Sequence, residues 1–190
     1  MDEYLKFKSW YSDTNLKLKN KYGDDLFLIC ALIASTSPLM TVERNLFIAE
    51  LIYADFKLDK IKFLKLLKNK IGFCKKYGLF KPHYSNLVKT LNYDFKTDLK
   101  LSGQKVYNFY KNLTGDYEAV TIDTWMAEYF KIPQEKRNHI RGKLYSYYAD
   151  IIKTEAKGLN LLPAEYQAII WSKTRIENGS EAISFSDLLN

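Results

Sequence analysis

Lys105 and Asp123 stand eighteen residues apart, an amine just past a turn and a carboxylate at a helix start. A neutral amine is a nucleophile toward carbon, and a fixed carboxylate stabilises positive charge growing at a reacting centre. Burial and neighbouring cations would lower the lysine pKa toward the neutral form that such chemistry needs. Plainer roles exist for both. Asp123 suits a helix N-cap, and Lys105 is one of 29 basic residues, solvated or resting on a phosphate.

The elements around the pair are readable. Leu101-Ser102-Gly103 forms a tight turn in which Ser102 is a good N-cap and Gly103 accepts positive φ. Val106, Phe109, Tyr110 and Leu113 then recur at helical spacing and face a core. Backbone amides at such a helix start point outward and favour an anion, most simply a phosphate. Gly115 stops the helix, Val120-Thr121-Ile122 leads in, and Asp123 opens a helix carrying Trp125, Met126, Tyr129 and Phe130.

No segment of the chain alternates, so the periodicity predicts an all-α protein. Helices are expected over 3–21, 26–35, 41–53, 57–71 and 134–156, with another starting at Pro163 and passing Arg175. The run at 26–35, LFLICALIAS, is apolar all round and predicts a buried central helix. A short tail with Phe185, Leu188 and Leu189 is expected to pack back.

The chain has 190 residues, 47% of them hydrophobic and 15% aromatic, enough for one unit or two small lobes. Its net charge of +7 favours a polyanionic partner, although 22 acidic residues are interspersed. No run of eighteen apolar residues spans a membrane, and the N-terminus does not read as a signal peptide. Cys30 and Cys74 sit in apolar contexts and read as reduced core residues of a cytoplasmic protein, nucleoid-associated or viral in an infected cell. Two cysteines exclude a four-cysteine iron–sulfur cluster, and His83 and His139 have no ligand-like neighbours, so neither metal nor cofactor is expected.

Leu99-Lys100-Leu101-Ser102-Gly103-Gln104-Lys105 followed by Ile122-Asp123-Thr124-Trp125 resembles the helix-hairpin-helix DNA glycosylases, the superfamily of endonuclease III and 8-oxoguanine glycosylase. There a hairpin reading L-P-G-V-G-x-K precedes V-D-T-H by the same interval. Here Lys100 replaces the proline, Leu101 the first glycine and Trp125 the histidine. Two further segments match in order: Leu32 to Val42 is similar to L-L-S-x-Q-x-T-D-x-x-V, and Gly78 to Val88 to the helix before the hairpin.

The resemblance implies two helical lobes with a helix-hairpin-helix and a cleft between them: 23–114 as the middle lobe, and 1–22 plus 115–190 as the other. It implies a monomer acting on double-stranded DNA, a glycosylase with lyase activity that flips a damaged or modified base out of the duplex. Lys105 would attack C1′ and Asp123 would stabilise the charged sugar. Lys100, Leu101, Ser102, Gly103 and Gln104 would meet the DNA backbone. Thr36 would wedge into the base stack, with Leu39 and Met40 as apolar substitutes. Trp125, Gln167, Trp171 and Tyr148 would line the base pocket. Two other readings stay open: a hairpin protein that binds DNA without catalysis, and a phage-type enzyme that modifies a base instead of excising it.

Overall fold

The computed structural model describes residues 2–189, and within them the chain is all-α, with no strand. A 3₁₀ segment, Asp2–Ser9, runs into α1 (Trp10–Tyr22), where the periodicity predicts one continuous helix. Helix α2 (Leu26–Thr36) is the expected apolar one, buried from Leu28 to its end. Full burial of Ile29, Leu32 and Ile33 contributes about 1.5–3 kcal/mol for each side chain.

Thr41 accepts a bond from the Arg44 amide and caps α3 (Val42–Leu58). The lysine-rich stretch is not the single helix expected over 57–71. Asp59 and Asn69 accept bonds from the amides of Lys62 and Gly72, starting α4 (Lys60–Lys68) and α5 (Lys70–Tyr77) afresh. Short polar side chains compete with the helical backbone in this way. Gly78 closes α5 at φ 61°, a left-handed conformation that glycine adopts without penalty, and α6 (Lys81–Leu91) follows.

Residues 92–103 then form no helix before α7 (Gln104–Leu113). The compact helix-hairpin-helix expected from the resemblance is therefore opened into two helices joined by a long connection. Asp123 starts α8 (Thr124–Tyr129). The helix expected over 134–156 is divided: a 3₁₀ segment, Gln134–His139, ends before Gly142 at φ 59°, and α9 (Lys143–Gly158) begins there. Pro163 opens α10 (Pro163–Glu177), and the tail returns as α11 (Phe185–Leu188) with Phe185 buried.

The chain divides into two compact units, Leu18–Ser102 and Met1–Lys17 with Gly103–Asn190. The boundary differs from the expected 23–114, because α7 joins the unit formed by the chain ends. Asn15 donates to the Leu113 carbonyl at 2.7 Å, and Phe109 packs on Trp10 and Phe185. In the Leu18–Ser102 unit, α2 packs against α3 and α6. In the other, α10 packs against Asp2–Ser9, α8 and α9 around Val120, Met126, Ile152 and Ile170. Cys30 is buried and Cys74 half-buried, both unbridged. No helix among the described residues is long and apolar enough to cross a membrane.

Candidate functional site

Helix α7 opens at Gly103, whose φ of 91° is a backbone state that side-chain-bearing residues rarely adopt. The expected N-cap, Ser102, does not cap the helix: its hydroxyl accepts a bond from Lys89 Nζ at 2.7 Å instead. From that start α7 buries Val106, Phe109, Tyr110 and Leu113, as their spacing predicts. A polar row runs beside them: Lys105, Asn108 and Asn112, at i, i+3 and i+7.

That row sets the approach to Asp123. The buried Asn112 amide donates to the carbonyls of Asp116 and Ala119 at 3.0 and 2.8 Å and accepts from Thr121 Oγ1 at 2.8 Å. Asn108 donates to the Tyr145 hydroxyl at 3.2 Å. That hydroxyl in turn donates to the Val120 carbonyl at 2.9 Å and accepts the Ile122 amide at 3.0 Å. The helix bearing Lys105 thus holds the strap that delivers Asp123. Desolvation pushes the Tyr145 phenol up to about 12, so it stays protonated and able to donate.

Asp123 is the expected N-cap. Its Oδ1 accepts the amides of Trp125 and Met126 at 3.0 and 2.9 Å, and its Oδ2 accepts Trp171 Nε1 at 2.9 Å. Lys105 is half-buried, with Nζ 5.4 Å from the centre of the Phe109 ring. Enclosure of the ammonium lowers its pKa below the ordinary lysine value, and the Asp123 carboxylate opposes the shift. The two groups therefore sense one another electrostatically, in surroundings that disfavour the charged amine.

Two aromatic residues from the first helix complete the site, and sequence reasoning missed both. Trp10 packs at 6.5 Å from Phe109 and 6.0 Å from Trp171, so it touches the supports of both chemical groups. The buried Tyr11 donates to Gln167 Oε1 at 2.9 Å; burial above all, and also the Asp123 charge, raises its pKa. Ninety-odd residues separate them from Lys105, and no local pattern announces such a contact. Asn108 and Asn112 did leave a signal, as polar positions recurring on an amphipathic helix.

Of the expected pocket residues, Trp125 and Trp171 share one arginine: the Arg175 guanidinium lies 5.2 and 4.8 Å from their ring centres. Gln167 is buried and committed to Tyr11. Tyr148 belongs to packing, its ring 4.4 Å from Phe130 against the helical core. Among the described residues no three His, Cys, Asp or Glu side chains cluster as metal ligands.

Within the Leu18–Ser102 unit one expected contact is overturned. Thr36 is fully buried, its hydroxyl donating to the Leu32 carbonyl at 2.8 Å and accepting Asn45 Nδ2 at 2.6 Å. A side chain so enclosed cannot wedge into anything. Leu101 is also buried, which withdraws its side chain from a partner. Lys100 and Ser102 are exposed, as are Gly103 and Gln104 in the other unit; Gln104 Oε1 accepts the Gly142 amide at 2.6 Å.

Helix α6 pins two loops of that unit. Asn86 clasps the Ser102 backbone from both sides, accepting its amide at 2.7 Å and donating to its carbonyl at 3.0 Å. The buried His83 accepts the Phe80 amide on Nδ1 at 3.0 Å, so its proton sits on Nε2 and is donated to the Pro38 carbonyl at 2.6 Å. The loop so held presents Leu39, three-quarters exposed and at φ 59°. Such a conformation for a branched residue persists only where surrounding contacts impose it.

Residues 2–178 match the model of a family described as Family of unknown function (DUF7178). The chain belongs to this family. No curated protein matches it, and no solved structure does. The DUF7178 assignment carries no activity with it, so the chemistry rests on the side chains themselves.

Proposed function

We propose that this protein is a DNA N-glycosylase with associated lyase activity, acting on a damaged or modified base flipped out of a duplex. The observation that carries the reading is the shared framework of Lys105 and Asp123: one helix bears the amine and fixes the strap that bears the carboxylate. The amine must be neutral to attack, and its enclosure favours that form. As the glycosidic bond lengthens, positive charge spreads over the sugar, and the Asp123 carboxylate stabilises it. Lys105 Nζ bonds to C1′, the base departs with the bonding pair, and loss of the amine proton with ring opening gives a Schiff base. β-Elimination from that intermediate cuts the strand.

Leu39 takes the wedge role that the sequence assigned to Thr36, being apolar, exposed and held on a pinned loop. Extrusion of a base costs a few kcal/mol, which backbone contacts and the filled gap offset. Lys100 supplies an exposed cation for a phosphate.

The test is a panel of duplexes bearing different modified bases, assayed for free base and for strand cuts. Release from at least one duplex is expected, with Asp123→Asn slowing it by about 100-fold or more. Intact strands carrying a base of altered mass would instead identify a base-modifying enzyme. Salt-sensitive duplex binding with no reaction on any substrate would leave a binding protein only.

A further inference from the structure

We infer that Trp171 is a positioning residue for the Asp123 carboxylate, acting through its indole N–H and held in place by Arg175. For its catalytic consequence this rests on the glycosylase reading above; the hydrogen bond and its orienting role do not.

One end of the carboxylate is already committed, since the Trp125 and Met126 amides both bond to Oδ1. Rotation about the carboxylate torsion is otherwise soft, because sp³–sp² torsions have broad minima. The Trp171 N–H reaches Oδ2 at 2.9 Å from forty-eight residues away and locks the second oxygen. Indole is a donor with no acceptor, so it suits a carboxylate oxygen and rejects a rotated amide N–H₂.

The indole is itself braced. Arg175 sits one helical turn further along α10, and its guanidinium lies 4.8 Å from the Trp171 ring centre. The Arg175 Nε donates to the Glu181 carbonyl at 2.7 Å, tying the guanidinium to the segment after α10. Trp10 meets Trp171 edge-on at 6.0 Å. With Arg175 over it and Trp10 beside it, the ring is committed to holding Asp123 and not to stacking on an extruded base. The sequence offered Trp171 as a pocket wall; its hydrogen bond gives it a different task.

The test follows the Trp171 indole N–H by nitrogen-15 NMR in the full chain, with Trp171→Phe assigning the signal. Asp123→Asn is expected to shift that resonance and speed its exchange with solvent, more than it does for Trp10. An unmoved Trp171 signal would overturn the inference. On a duplex that the wild type cleaves, Trp171→Phe is expected to lower the single-turnover rate about 10- to 100-fold, with duplex affinity unchanged. A wild-type rate in that variant would overturn it equally. Should wild type cleave no duplex, the glycosylase reading fails and the NMR result alone decides this one. Should Trp171→Phe not fold, Asp123→Asn reads the same bond from its other end, with the resonance assigned by Trp10→Phe and Trp125→Phe.

Discussion

A lysine enclosed enough to lose proton affinity is a burden to folding, and Lys105 carries that burden. Its folded pKa lies below the ordinary 10.5, so the unfolded chain binds the proton more tightly and stability rises with pH. The penalty is full below the folded pKa and gone above the ordinary value. Lys105→Met is therefore expected to raise the melting temperature at pH 7, by an amount that shrinks as pH approaches 10.5. A lower melting temperature at pH 7 would contradict the enclosure. The same shift predicts that reaction with a sugar carbon accelerates with pH and reaches half its plateau below 10.5. Thr36 and Leu39 make the opposite pair. Thr36→Val leaves Asn45 Nδ2 without its 2.6 Å partner and is expected to cost about 1–3 kcal/mol by denaturant unfolding, while Leu39→Ala leaves stability unchanged and slows base release.

At the level of elements, α7 holds the strap before Asp123, and α6 fixes loops within its own unit. Asn86→Ala removes both bonds to the Ser102 backbone from a buried position, and a loss of about 1–3 kcal/mol is expected, with amide exchange quickening around 101–104. Helices α2 and α7 were legible in the sequence because burial of each follows a local pattern: an unbroken apolar run, and Val106, Phe109, Tyr110 and Leu113 at helical spacing. Asp123 was legible as a cap for the same reason. The breaks at Asp59, Asn69 and Gly142 were misread, since the apolar periodicity continues across them and only side-chain capping or a positive φ interrupts it. Thr36 was placed by its position in a motif. Its burial is decided by Asn45, on another helix, and no local spacing reveals that.

For the molecule as a whole, the site unit is assembled from the two ends of the chain, with Trp10 and Tyr11 brought to residues from Lys105 onward. Contacts of such sequence separation leave no periodic trace, so this part of the site was invisible before folding. Charge, by contrast, is visible and uneven: residues 57–93 hold ten lysines and a single aspartate. Duplex binding is expected to weaken steeply with salt, and Lys100→Ala to flatten the slope of log affinity against log salt by about 1, without regard to base sequence. The proposed excision turns on a bond between Lys105 Nζ and a sugar carbon. Its most direct measurement is borohydride reduction of the protein with an abasic-site duplex, followed by digestion and mass analysis of the linked peptide. A covalent complex is expected whose adduct maps to Lys105 and which Lys105→Ala does not form. An adduct elsewhere, or an undiminished yield from Lys105→Ala, would contradict it.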